Sequence, residues 1–155
     1  MIDINSVTYE QLNNVITDLG QPEFRTKQIF TWLHKNGVSS FDEMTNISKS
    51  LREKLSENFY ISTCQIEDKY ISKIDGTVKY LFKLSDGEYM ESVIMKYKYG
   101  YTICVSSQVG CKMGCTFCAS AVDGLQRNLT AAEMVDQIIA IEKNTGETIG
   151  NVVVM

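Results

Sequence analysis

Residues 104–120 read Cys-Val-Ser-Ser-Gln-Val-Gly-Cys-Lys-Met-Gly-Cys-Thr-Phe-Cys-Ala-Ser, and four of the chain's five cysteines fall here. Three of them form Cys111-x-x-x-Cys115-x-x-Cys118. A structural zinc site closes with four ligands, whereas a site that does chemistry keeps one position open. A [4Fe–4S] cluster ordinarily takes four thiolates, so three would leave one iron free to bind something else. On spacing alone, zinc with a distant fourth ligand and three unrelated thiols stay open beside the cluster. The flanks decide the fold. Tyr101-Thr-Ile-Cys-Val105 reads as a strand leading into the cysteine loop. Thr130 with Glu133 has capping-box spacing for a helix bearing Val135, Ile138 and Ile139, ending near Gly146. Asn151-Val-Val-Val-Met155 then has the β-branched character of a buried parallel strand. Strand, loop, helix and strand make one βαβ unit, right-handed by default. The cysteines fall at a strand's carboxyl end, where such folds place their chemistry.

The Cys-x3-Cys-x2-Cys spacing, with Phe117 before the last cysteine, resembles the radical S-adenosylmethionine (SAM) enzymes. Cys104-Val-Ser-Ser-Gln-Val-Gly-Cys111 and Arg127-Asn-Leu-Thr130 look like one branch of them, the enzymes that methylate adenine C2 of 23S ribosomal RNA. The resemblance runs along the whole chain. It implies that Cys111, Cys115 and Cys118 hold a [4Fe–4S] cluster whose open iron chelates SAM, with Phe117 against the SAM adenine. It implies a 5′-deoxyadenosyl radical, a methyl group carried on a cysteine near the carboxyl terminus, and Cys104 resolving the enzyme–RNA adduct through a transient disulfide. Glu91-Ser-Val-Ile-Met95 matches the segment whose glutamate accepts the proton. Implied partners are 23S rRNA, transfer RNA as a further substrate, and an electron donor such as flavodoxin or ferredoxin. A relative that methylates adenine C8 and confers antibiotic resistance shares these residues; Val109 leans toward the C2 enzyme. A non-catalytic zinc-bound RNA-binding module is the competing class.

The bulk numbers set bounds. The chain has 155 residues, 44% of them apolar, and one proline, which suits a folded protein of ordinary domain size. Five cysteines with motif spacing do not read as a secreted disulfide framework. The first residues do not read as a charged-then-apolar leader, and no apolar run approaches the ~18 residues a membrane span needs. A cytoplasmic protein with no membrane association is expected. Net charge is −4, and every third of the chain is neutral or acidic, so charge alone does not point to RNA. The chain also stops inside its Val run, and no counterpart of the methyl-carrying cysteine or of the glycine-rich SAM-binding segment is found. A truncated sequence, inactive by itself, is therefore expected.

Residues 1–60 read as a small helical domain. Thr8 and Gln11 cap a helix over 8–20 with Leu12, Val15, Ile16 and Leu19 on one stripe. Pro22 opens a second helix through Ile29, Trp32 and Leu33 to Gly37, and Ser40-Phe-Asp-Glu43 offers a short capped turn. A third helix carries Leu51, Leu55 and Phe59. Phe24, Phe30, Trp32 and Phe41 are expected to hold the bundle. His34, near the end of the second helix, reads as a solvated or helix-end histidine, since a cation there suits the helix dipole. Arg25, Lys27, Lys35, Lys49, Arg52 and Lys54 are ordinarily solvated faces, and also the best local candidates for phosphate contacts. The resemblance implies a nucleic-acid-binding accessory module here, with Arg25-Thr-Lys-Gln-Ile29 and Trp32 in the match.

Residues 61–100 change to the alternating period of strands. Asp75-Gly76 and Asp86-Gly87 are two-residue hairpin signals. Val78, Tyr80, Phe82 and Leu84 share one face. On the next strand Tyr89, Glu91, Val93 and Met95 share one face, with Met90, Ser92 and Ile94 on the other. Glu91 is either on an exposed rim or in a site; the resemblance favours a partly buried base. Cys64 reads as a small packed hydrophobe. The expected architecture is therefore α+β followed by α/β: a helical domain (1–60), a β-hairpin extension (61–100), and the opening βαβ unit of a partial (β/α) barrel (101–155).

Overall fold

The computed structural model describes residues 1–155, which divide into two compact units, Met1–Ser62 and Thr63–Met155. In the first unit, a two-residue strand β1 (Ile2–Asp3) precedes helices α1 (Tyr9–Asp18), α2 (Phe24–Thr31) and α3 (Lys49–Asn58), and strand β2 (Phe59–Tyr60) closes it. Thr8 and Gln11 complete the reciprocal capping box of α1, which satisfies two amide groups the helix would leave without partners. Helix α2 runs on through a wider π-type turn, Trp32–Asn36, and stops at Gly37. Ser40 and Glu43 cap the short 3-10 turn Phe41–Glu43 in the same reciprocal way.

Phe59 does not extend α3. It pairs in parallel with Ile2, so the end of the unit is tied back to its beginning. The core is mainly aliphatic: Ile4, Leu12, Ile16, Ile29, Leu33, Met44, Leu51 and Leu55 are buried with Phe41 and Phe59. Of the expected aromatics only Phe41 is in it. Phe30 and Trp32 pack against its edge, and Phe24 is 57% exposed. His34 lies in the last helical turn as expected, but it is half-buried. It lies against the Phe30 ring at 4.2 Å, and burial lowers the imidazole pKa below its ordinary value, which favours the neutral ring.

The second unit is built on a five-stranded sheet. Its strands are β3 (Gln65–Ile71), β4 (Val78–Lys83), β5 (Tyr89–Tyr97), β6 (Gly100–Val105) and, after the cysteine segment, β9 (Ile149–Val154). The spatial order is β3-β4-β5-β6-β9, antiparallel until β9 joins β6 in parallel. Residues on either side of position 100 thus belong to one sheet, since β5 and β6 pair directly. Between β6 and β9 lie a ribbon of β7 (Gln108–Gly110) and β8 (Leu125–Asn128), then helix α4 (Ala131–Thr145). Strand β6, helix α4 and parallel strand β9 are the expected βαβ unit.

The hairpin loops are longer than the two-residue turns expected. Ser72 N–H bonds to Thr77 O, enclosing four residues, and Leu84 N–H bonds to Glu88 O, enclosing three. In the shorter loop Gly87 has φ +89°, the left-handed residue that follows a type I turn in three-residue hairpins.

One sheet face is closed. Tyr80, Phe82, Met90, Ile94, Ile103 and Val105 are buried there with Leu129 and Ile141. Cys64 packs against this cluster as a partly buried side chain. The Val run is parallel as expected, and within residues 1–155 Val152, Val153 and Val154 are about half exposed.

Candidate metal and cofactor site

The cysteine loop hangs from the β7–β8 ribbon. Val109 pairs with Arg127 and Gly110 with Leu125, and Cys111 N–H bonds to Gly124 O at 3.1 Å. Gly110 has φ +71°, and a Cβ there would run into the Gly124 carbonyl oxygen. Only glycine allows the two strands to approach so closely. Residues 111–124 thus leave and return at one point. Within them, Cys118 N–H bonds to Cys115 O at 3.1 Å, and a 3-10 turn follows at Ala119–Ala121.

None of the five cysteines is in a disulfide; Cys115 is exposed, and Cys104, Cys111 and Cys118 are half-buried. The structure does not bring Cys111, Cys115 and Cys118 into one ligand set: no group of three or more His, Cys, Asp or Glu side chains is placed to hold a metal. The donor chemistry nevertheless fits an iron–sulfur cluster. Three unpaired thiols sit within eight residues of a loop that contributes no side chain to the core, so no packing opposes their convergence. Phe117 is 91% exposed, so its ring is bare.

Two structural ties that sequence reading did not single out position this loop. Arg127, on β8, grips Glu133 with two parallel bonds of 2.9 and 2.8 Å and reaches Asp86 in the β4–β5 turn at 2.7 Å. Hydrogen bonding to Arg127 holds the Glu133 carboxyl below its usual range; Asp86 is lowered too, first by the Glu88 N–H and then by Arg127. Glu133 is also the capping residue of α4, accepting from Thr130 N–H at 2.8 Å. One guanidinium thus pins ribbon, helix start and hairpin turn together. The second tie is Gln137, a fully buried residue of α4. It bonds Ser106, the first residue after β6, through both backbone groups, and accepts from Ser92 Oγ at 2.6 Å. A glutamine within a helix reads as solvated, so no sequence signal marks it. Glu133 carried one only as a cap.

Glu91 and Cys104 lie on the sheet face opposite α4. Val93 is the cross-strand partner of Cys104, and residues two apart on a strand share a face, so Glu91 is the diagonal neighbour of Cys104. Ser106 extends the contact by donating its hydroxyl to Glu91 O at 2.6 Å. Glu91 is on an interior strand, yet it is exposed and not partly buried as expected. No layer covers this face, and Lys79 Nζ sits 2.9 Å from its carboxylate. That contact raises the Lys79 pKa above its ordinary value.

Known proteins resemble the chain over all or part of its length. Residues 2–61 match the family model for the ribosomal RNA large subunit methyltransferase N-terminal domain. Over 99% of the chain, 55% of residues are identical to a probable dual-specificity RNA methyltransferase RlmN of Alkaliphilus oremlandii, of which 45% is covered. The Clostridium novyi protein of the same description is 50% identical over 100% of the chain, again covering 45% of that relative. The crystal structure of a radical SAM methyltransferase from Sphaerobacter thermophilus superposes with a TM-score of 0.84 at 35% identity, covering 98% of this chain and 46% of that one. The chain therefore spans somewhat less than half the length of the relatives it matches.

Proposed function

Because the chain belongs to the RlmN family of RNA methyltransferases, we propose that it forms part of a radical SAM enzyme that methylates C2 of an adenine in 23S rRNA, with transfer RNA as a second substrate. The observation that carries this reading is the arrangement around β6: the cysteine loop follows its carboxyl end, and Cys104 shares the open face of the sheet with Glu91. Such strand ends are where (β/α) folds place their chemistry, and β6, α4 and β9 open a partial barrel of that kind.

Cys111, Cys115 and Cys118 would hold a [4Fe–4S] cluster, and Phe117 would lie beside the SAM bound to it. When bound, the pair supplies the methyl group and the radical chemistry, with the electron drawn from a flavodoxin or ferredoxin. The residues of the chain do the rest. Gly110 and the Arg127 tie hold the two ends of the loop together. Glu91 accepts the proton released from the adenine, and the Lys79 ammonium 2.9 Å away holds its carboxylate in place. Cys104 supplies the thiolate that resolves the enzyme–RNA adduct by forming a disulfide with the methyl-bearing cysteine. Such chemistry needs reduced thiols, as in a cytoplasm, and no helix here is long and apolar enough to cross a membrane.

Residues 1–155 alone do not complete the reaction. Three cysteines go to the cluster, Cys104 resolves, and Cys64 is packed beside α4 with its thiol toward Glu133 O at 3.9 Å. No thiol is left to carry the methyl group. The decisive test is anaerobic iron–sulfur reconstitution of the full-length enzyme, with electron paramagnetic resonance of the reduced protein. A [4Fe–4S]⁺ signal that shifts on adding SAM is the expected result. Bound zinc, or a cluster indifferent to SAM, would overturn the assignment. Mass spectrometry of the modified nucleoside then separates C2 from C8 methylation.

A further inference from the structure

The exposed face of α2 bounds a cavity of about 460 Å³, lined by Phe24, Lys27, Gln28, Trp32, Asn36 and Asn46 among others. Its size is in the range of small-molecule sites. Two of its amides are locked in orientation. Trp32 Nε1 donates to Asn46 Oδ1 at 2.6 Å, and Arg25 Nη1 donates to Gln28 Oε1 at 2.8 Å. A ring N–H and a guanidinium can only donate, so each amide must offer them its oxygen and keep its NH₂ free. Arg25 also bonds Asn46 O at 3.1 Å, which holds the two amides to one frame. Lys27, Gln28 and Phe24 lie at helical spacing on the same face as Trp32. Beside the unlocked Asn36 amide and the Thr31 hydroxyl, the cavity therefore presents two orientation-fixed NH₂ groups and an ammonium as donors, between two aromatic side chains.

We propose that this cavity takes an unpaired RNA base by an acceptor-rich edge, uracil or guanine in preference to cytosine or adenine. The proposal deepens the reading of residues 1–60 as an RNA-binding module and rests on it. Uracil O4 and guanine O6/N7 accept, whereas the amino groups of cytosine and adenine would set donor against donor. Single-stranded RNA is commonly read in this way, its splayed bases stacked on aromatic rings, while Lys27 and Arg25 supply charge for the flanking phosphates.

Trp32 is the only tryptophan, so its fluorescence reports this cavity alone. The test titrates residues 1–155 at low salt with 5′-labelled octamers of uridine, of cytidine and of abasic ribose-phosphate, reading label anisotropy and Trp32 emission together. The expected result is quenching by the uridine octamer, with about tenfold tighter binding than the cytidine octamer and no quenching by the abasic one. Gln28→Glu and Asn46→Asp keep the oxygens that Arg25 and Trp32 use but replace a donor with an acceptor. Each is expected to lower the uridine-to-cytidine affinity ratio at least fivefold, whatever the added charge does to overall affinity. Equal binding of all three octamers with silent Trp32 emission would overturn the base pocket and leave RNA binding intact. No anisotropy change with any octamer would overturn both.

Discussion

Gln137 bridges α4 to Ser106 through both backbone groups of that residue, accepting its N–H at 2.9 Å and donating to its carbonyl at 3.0 Å. Thirty-one residues separate the two in sequence. The same amide accepts from the buried Ser92 hydroxyl and donates to Glu133 O, so a single side chain aligns β5, the end of β6 and the helix. Replacing it leaves buried polar groups without partners, each costing about 1–3 kcal/mol. Gln137→Leu should therefore destabilise the second unit by about 3 kcal/mol. Urea denaturation followed by far-ultraviolet circular dichroism checks this, and a loss below about 1 kcal/mol would show the network to be dispensable.

Gly110→Ala tests the pinch at the root of the cysteine loop. An alanine there meets both a positive φ and the Gly124 carbonyl. The expected cost is about 2 kcal/mol or more, with iron uptake in reconstitution falling well below that of the parent. Unchanged stability together with unchanged uptake would mean that the ribbon opens freely.

Each of Cys111→Ala, Cys115→Ala and Cys118→Ala is expected to reduce bound iron from about four per chain to near zero. Cys64→Ala should leave it unchanged. Iron analysis and the visible absorption band of the reconstituted protein give the comparison. Iron retained after loss of any one of the three would remove that cysteine from the ligand set.

The Arg127–Glu133 tie has a pH signature. Glu133 has its pKa held below the ordinary 4.5 in the folded chain. Its contribution is complete above that value, and is lost as pH falls from about 4.5 through the lower folded value. Thermal unfolding between pH 6 and pH 3 should show the second unit weakening on the acid side. Arg127→Met should be less stable at pH 6 and show a shallower decline. A parallel decline in both proteins would indicate that other carboxylates govern the acid limb.

Glu91→Gln, made in the full-length enzyme, should leave cluster content and SAM binding intact while lowering turnover about 10²- to 10⁴-fold, the usual worth of a positioned base. Lys79→Ala is the informative companion. Its ammonium lies 2.9 Å from the Glu91 carboxylate, so its removal frees that side chain and should lower turnover without changing cluster content. Turnover unmoved by Lys79→Ala would confine the ion pair to holding the strands together.

The sequence by itself determined what depends on near neighbours along the chain. The capping boxes at Thr8, Ser40 and Thr130, the βαβ order and the cysteine spacing were all legible, because each involves residues a few positions apart. Tertiary structure decided what depends on partners distant in sequence. It set the length of the two hairpin loops and the exposure of Phe24 and Glu91. It also turned Gln137 from an apparent surface residue into the buried tie between helix and sheet. Hydrophobic periodicity shows that a strand has a buried face. It does not show which residues another strand sets beside that strand, so only the pairing of Val93 with Cys104 puts Glu91 and Cys104 on one face.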